Sequence, residues 1–138
     1  MRLLFVLFFF GIVFDGHCQE ERIDPPQIAI KILPGESVNV EDVELTFVEV
    51  LEDSRCPSSV DCIWNGRARV LLKLNRDGKD TSEAIVIFGE LKQGEEPHRL
   101  LDLNSEYLLE AMQLNPYPAV PGEELEYFLL VKKVRKED

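Results

Sequence analysis

The chain has 138 residues, of which 15 are basic and 26 are acidic, so its formal net charge is −11 at pH 7. An acidic balance of this size argues against nucleic acids and anionic membrane surfaces as partners, because both are bound through basic patches. A chain of this length is typical of a single domain with one hydrophobic core.

The first 18 residues have the pattern of a secretory signal peptide. Arg2 is followed by an uncharged apolar run from Leu3 to Phe14, and a short polar segment then ends at Cys18. The run is shorter than the roughly 20 residues that a transmembrane helix needs. We expect cleavage after Cys18 and export to the periplasm, the cell surface or the extracellular space. In the alternative, Cys18 is retained and lipidated, and only then is the protein anchored to a membrane.

The folded domain is expected to span residues 28–138. Residues 19–27 are polar and include Pro25-Pro26, which excludes a helix and indicates an N-terminal extension. From Ile28 to Ile32, isoleucines alternate with other residues, which predicts a first strand. Residues 43–50 also alternate, but the parity shifts between Phe47 and Val48, which predicts a β-bulge.

The middle of the domain predicts a β-hairpin. Residues 67–74 alternate between apolar and charged side chains, with Leu71 as the exception, and the turn sequence Asn75-Arg76-Asp77-Gly78 follows. A second strand is then expected at residues 84–88, where Ala84, Val86 and Phe88 face one way and Ile85 and Ile87 face the other.

The later elements are also expected to be strands. Residues 107–114 fit either a strand or two helical turns, and we favour a strand because its neighbours are strands and Pro116 follows. Residues 125–134 predict a central strand that is covered on both faces over its first half. Seven or eight short strands without a confident helix predict an all-β fold, an antiparallel immunoglobulin-like β-sandwich, with a small β-barrel as the alternative.

The most distinctive segment is residues 53–66, with the sequence DSRCPSSVDCIWNG, which we call the disulfide loop. It contains Trp64, the only tryptophan of the chain, and both cysteines outside the leader, Cys56 and Cys62. In an oxidising compartment two thiols at this spacing usually pair, so we predict a disulfide. One histidine and two cysteines after the leader are too few for a zinc or copper site. We therefore expect no metal and no cofactor, and, in the absence of a catalytic motif, no enzymatic activity.

Eight positions of this loop resemble a signature found in small exported bacterial envelope proteins, many of them lipoproteins, which have no assigned activity. The resemblance rests on Asp53, Ser54, Arg55, Cys56, Pro57, Cys62, Trp64 and Gly66. It covers residues 43–74 and implies an exported envelope protein without implying a chemistry. Asn65 stands where the family has a small residue, and the residues before Cys18 depart from a lipoprotein signal, which puts a membrane anchor in doubt.

Two interpretations of the disulfide loop follow from its residues. In the first, the loop is a structural brace: Arg55 pairs with Asp53 or Asp61, and Trp64 is buried against the disulfide. In the second, the same loop is a rigid binding or inhibitory tip for a protein partner, since Trp and Arg are enriched at binding hot spots.

Two further features of the loop concern its backbone and its thiols. Pro57 restricts the backbone inside the disulfide ring, and Gly66 permits a tight exit into the next strand. A thiol redox role is disfavoured, because exchange catalysts use Cys-x-x-Cys at the start of a helix.

Overall fold

The computed structural model describes residues 28–78 and 80–136, which form eight strands and no helix. The predicted signal peptide, Cys18 and the extension at residues 19–27 lie outside the described residues. The strands are β1 (Ala29–Ile32), β2 (Ser37–Val40), β3 (Val43–Asp53), β4 (Arg67–Arg76), β5 (Asp80–Gly89), β6 (Leu100–Asp102), β7 (Tyr107–Asn115) and β8 (Phe128–Arg135).

The strands form two antiparallel sheets of four strands each. One sheet has the order β1-β8-β7-β6 and the other has the order β2-β3-β4-β5. The predicted β-sandwich is therefore confirmed. The alternative of a small barrel is wrong, because the sheets do not close on one another. Apart from β1, each sheet is built from strands that follow one another in the chain.

Several local predictions are confirmed by the strand pairing. The register between β3 and β4 shifts between Phe47 and Glu49, where the parity shift predicted a bulge. The hairpin of β4 and β5 turns at Asp77 and Gly78, and residues 107–114 belong to strand β7. Strand β8 is central, since it pairs with β1 on one side and with β7 on the other. Alternation of side chains therefore located these strands in the sequence, although residues 107–114 also fitted helical spacing.

The hydrophobic core lies between the two sheets and receives side chains from both. Its largest fully buried members are Phe47, Ile32, Leu45, Leu72, Leu109, Leu114 and Leu129. On β3 and β4 the core residues recur at every second position, as expected for strands with one face inward. This core fixes the ends of the strands from which the connecting loops leave.

Three long connections meet at one end of the sandwich, which we call the loop end. They are residues 54–66 between β3 and β4, residues 90–99 between β5 and β6, and residues 116–127 between β7 and β8. Antiparallel pairing brings the strand ends together there, since Asp53 pairs with Ala68, Arg67 with Gly89, and Asn115 with Phe128. The disulfide loop therefore lies beside the connection from β7 to β8, 50 residues or more away along the chain.

Candidate functional site

A buried arginine–carboxylate pair anchors the start of the disulfide loop. The guanidinium of Arg55 donates from Nε to Oδ1 of Asp53 at 2.8 Å and from Nη2 to Oδ2 at 2.6 Å. The two side chains are only 7% and 8% exposed. Asp53 also accepts a hydrogen bond from the backbone N–H of Arg55, at 3.2 Å. This two-pronged geometry matches the planar guanidinium to the carboxylate and fixes the direction of the chain as it leaves β3.

The same arginine joins the disulfide loop to the other sheet. Nη1 of Arg55 donates to the carbonyl of Leu114 at 2.8 Å, and Nη2 donates to the carbonyl of Pro116 at 2.9 Å. Its guanidinium also lies over the ring of Tyr117, 4.9 Å from the ring centre. Arg55 thus connects β3 to the end of β7 and to the loop that follows it.

The short length of β6 explains why carbonyls of β7 can accept hydrogen bonds from arginine side chains. β6 has three residues and pairs with β7 only from Leu108 to Glu110. Beyond that stretch, Arg99 donates to the carbonyls of Ala111 and Met112, at 3.1 and 2.7 Å. Arg55 continues this pattern at Leu114. Two arginine side chains therefore take the place of a longer edge strand, which leaves fewer unpaired backbone groups at this edge.

The charge of Asp53 is stabilised by its neighbours. Burial raises the pKa of Asp53, but hydrogen bonds from the side chain and backbone of Arg55, together with its positive charge, lower that pKa further than burial raises it. The hydroxyl of Tyr127 adds a hydrogen bond to Oδ2 at 3.1 Å. Burial and the adjacent Asp53 carboxylate in turn raise the pKa of Tyr127. Asp53 therefore carries its negative charge at neutral pH and holds the guanidinium of Arg55, so the two side chains act as a charged clamp.

The predicted disulfide is present between Cys56 and Cys62, whose Cα atoms are 5.9 Å apart. The ring that it closes packs along the connection from β7 to β8 through two backbone hydrogen bonds. The N–H of Ser58 donates to the carbonyl of Pro118 at 3.0 Å, and the N–H of Ser59 donates to the carbonyl of Ala119 at 3.1 Å. Inside the ring, the carbonyl of Pro57 accepts from the N–H of Val60 at 3.2 Å. The ring is thus held on one side by the disulfide and on the other by a neighbouring loop.

Gly66 closes the disulfide loop against its own start. Its φ of +68° lies in the left-handed region, and a Cβ atom built there would lie 2.0 Å from the carbonyl oxygen of Ser54. Only glycine fits such a close approach of two backbone segments. The N–H of Ser54 donates to the carbonyl of Arg67 at 2.7 Å, which completes the contact.

Side chains at the far side of the loop point into solvent. Ile63 is 99% exposed, Trp64 is 56% exposed and Val60 is 42% exposed. We call these three residues the apolar tip. The expectation of a buried Trp64 in the bracing interpretation is wrong. The bracing role belongs to Arg55, whose carboxylate partner is Asp53, whereas Asp61 is exposed.

A cavity of about 200 Å³ lies at the end of the disulfide loop, beside Asn65 and Gly66. Its walls combine the disulfide loop with the ends of β5 and β7, including Asn65, Gly66, Phe88, Leu114 and Tyr117. Tyr117 is 48% exposed and was not recognised from the sequence as a site residue. The Pro-Tyr-Pro sequence at residues 116–118 marked only the end of a strand, because nothing local shows which loop it faces.

A second ion cluster lies at the start of β4, where Arg67 is buried. It donates to Glu52 through Nε and Nη2, and to Oε2 of Glu95 at 2.6 Å. The hydrogen bond from Arg67 lowers the pKa of Glu52, and a backbone hydrogen bond from Lys92 together with the charge of Arg67 lowers that of Glu95. This cluster links the loop at residues 90–99 to β3 and was not predicted, because Glu95 is 28 residues away in sequence.

Within residues 28–78 and 80–136, no group of three or more His, Cys, Asp or Glu side chains is placed to hold a metal ion. No helix of that part of the chain is long and apolar enough to cross a membrane. Comparison of the chain with protein-family models, with curated proteins and with solved structures found no match.

Proposed function

We propose that the chain is an exported, non-catalytic β-sandwich of the bacterial envelope that binds a protein partner through its disulfide loop. The observation that carries this proposal is the exposure of Ile63 and Trp64, at 99% and 56%, on a loop that is fixed at several points. Export is supported by the disulfide between Cys56 and Cys62, which is consistent with an oxidising compartment. The resemblance of the loop to exported envelope proteins points the same way.

Rigidity is the first argument for binding. The disulfide, the Arg55 clamp, Gly66 and the two hydrogen bonds to Pro118 and Ala119 all restrain the backbone on either side of the tip. A loop that is ordered before binding loses little conformational entropy in the complex, so more of the contact energy appears as affinity.

The chemistry of the exposed residues is the second argument. Large aromatic side chains dominate protein interfaces, because one ring buries much apolar surface at a small entropic cost. An isoleucine that is almost fully exposed gains from burial in the same way, by about 1.5–3 kcal/mol. Neither Ile63 nor Trp64 contributes to the hydrophobic core between the sheets. Ile63 and Trp64 therefore have apolar surface that a partner can bury, and the isolated fold does not bury it.

The proposal is tested by photocrosslinking in the mixture of proteins exported by the producing cells. One protein carries the photoreactive residue benzoylphenylalanine at position 63, and the control carries it at position 100, where Leu100 is 57% exposed on β6. We expect a defined adduct from position 63 only. An excess of unlabelled wild-type protein should compete it away, whereas the Trp64→Ala variant should not. Equal adducts from both positions, or full competition by Trp64→Ala, would refute the proposal.

A further inference from the structure

Exposed acids outnumber exposed bases in the two segments that form the disulfide loop and its neighbouring connection. Residues 54–66 and 116–127 contain one basic residue, Arg55, and it is buried and paired with Asp53. The same two segments contain the acids Asp61, Glu123, Glu124 and Glu126, and all four are exposed. The loop at residues 90–99 adds three acids and two bases. The apolar tip therefore belongs to two packed segments that expose four acids, which we call the acidic rim, and no base.

The opposite end of the sandwich is different. Exposed or half-exposed cations stand there beside acids, among them Arg76 beside Asp80, Lys133 beside Glu41 and Lys136 beside Asp102. The opposite end also exposes acids, among them Asp42, Glu44, Asp77 and Glu106, but it supplies exposed or half-exposed cations, which the two segments 54–66 and 116–127 lack.

An apolar surface with an acidic rim favours one class of occupant. Anionic lipid and a second copy of the same tip would both bring negative charge against the rim, which opposes contact. The acids of the rim would attract a cationic protein segment, and the apolar side chains of that segment would be buried against Ile63 and Trp64. The cavity of about 200 Å³ beside Tyr117 offers a place for one large apolar side chain of that segment.

We infer that the partner of the disulfide loop is a positively charged protein segment that also carries exposed large apolar side chains. Its apolar residues cover Ile63 and Trp64 and insert one side chain between Phe88 and Tyr117. Its Lys or Arg side chains face Glu124 and Glu126. This inference rests on the proposed function, because it names the partner of the same loop.

The test uses Trp64 as its own reporter, since the chain has no other tryptophan. The probe is a short peptide of Lys, Phe and Gly, compared with a peptide that has Glu at every Lys position. We expect the cationic peptide to shift the emission of Trp64 to shorter wavelength in a saturable manner, and the anionic peptide to leave it unchanged. Binding should weaken as salt is added, because rim charges are screened.

Charge-reversal variants separate the loop end from the general negative charge of the protein. The Glu124→Lys/Glu126→Lys variant should bind the cationic peptide about tenfold more weakly at low salt, since rim charges act mainly on the association rate. The control Asp42→Lys/Glu106→Lys makes the same change in net charge at exposed positions of the opposite end and should bind as the wild type does. Equal weakening in both variants would overturn the inference, and so would equal binding of both peptides.

Two other outcomes would assign the surface to a different occupant. A shift of Trp64 emission on addition of phosphatidylcholine vesicles, without a shift by the cationic peptide, would assign it to a lipid surface. A shift that depends only on protein concentration would assign it to a second copy. Either result overturns the inference. If position 63 still gives its specific adduct while the charge variants have no effect, the proposed function stands and only the charge of the partner is wrong.

Discussion

Replacing Arg55 by Met removes the clamp while keeping a long side chain in the same space. Four side-chain hydrogen bonds would be lost, two to the carboxylate of Asp53 and one each to the carbonyls of Leu114 and Pro116. Asp53, whose side chain is 8% exposed, would keep its charge without a cation. Removing one member of a buried ion pair costs about 3–5 kcal/mol, so we expect the free energy of unfolding to fall by about that amount.

The conservative variant Arg55→Lys distinguishes the charge from the geometry. A lysine keeps the positive charge but has one nitrogen, which cannot reach Asp53 bidentately and the carbonyls of Leu114 and Pro116 together. We expect a loss of about 2 kcal/mol, between the wild type and Arg55→Met. Both variants are measured by urea unfolding of the oxidised protein, with the midpoint and the slope compared at equal pH.

The dependence on pH has a defined sign. Arg55 holds the pKa of Asp53 below its ordinary value of 3.8, so in the wild type this pair contributes stability above about pH 3.8 and loses it as the pH falls further. In Arg55→Met, burial remains without the cation, which raises the pKa of Asp53 above that of the unfolded chain. Protonation then stabilises the variant, and the difference in unfolding free energy from the wild type should narrow between pH 7 and pH 4. A loss below about 1 kcal/mol at pH 7, or a difference that widens on acidification, would refute the reasoning.

Three further changes, with Gly35→Ala as a control, test the disulfide loop by the same unfolding measurement. Gly66→Ala should destabilise by about 3 kcal/mol or more, because its Cβ would meet the carbonyl of Ser54 at 2.0 Å. Gly35→Ala, with a φ of +82° and open space, should cost only about 1 kcal/mol, and equal losses at both glycines would contradict the close approach. Replacing Cys56 and Cys62 by serine should cost about 2 kcal/mol, as expected for a short ring, and a variant as stable as the wild type would show that the ring adds no restraint. Trp64→Ala should change stability by no more than about 0.5 kcal/mol, whereas a loss above about 2 kcal/mol would mean that the side chain supports the fold.

Local alternation was enough to predict most of the strands. The period of two from Arg67 to Leu74 and the parity shift at Phe47 each depend on neighbours in sequence, and the structure confirms both. The turn predicted at residues 75–78 lies at Asp77 and Gly78, because Asn75 and Arg76 still pair with Thr81 and Asp80. The ambiguous segment at residues 107–114 became a strand because pairing with β8 outweighs its weak helical spacing. The disulfide was predictable for a different reason, since cysteine chemistry depends on the compartment rather than on the fold.

The candidate site was harder to predict, because its contacts span the chain. Arg55 reaches Leu114, 59 residues away, and the sequence of the disulfide loop offered Asp53 and Asp61 as equally plausible partners. The exposure of Trp64 depends on how far the loop stands out from the sheets, which composition does not reveal. The role of Tyr117 could not be predicted for a similar reason. Tyr117 becomes part of the site only when the connection from β7 to β8 packs beside the disulfide ring.

The measurement that tests the central claim most directly is iodide quenching of Trp64 fluorescence in the oxidised protein. The chain has one tryptophan, so the signal reports a single position. Trp64 is 56% exposed, and the account predicts emission at long wavelength, efficient quenching and little change on Arg55→Lys. Emission at short wavelength that iodide does not quench would show a buried side chain and would contradict the disulfide loop as a binding tip.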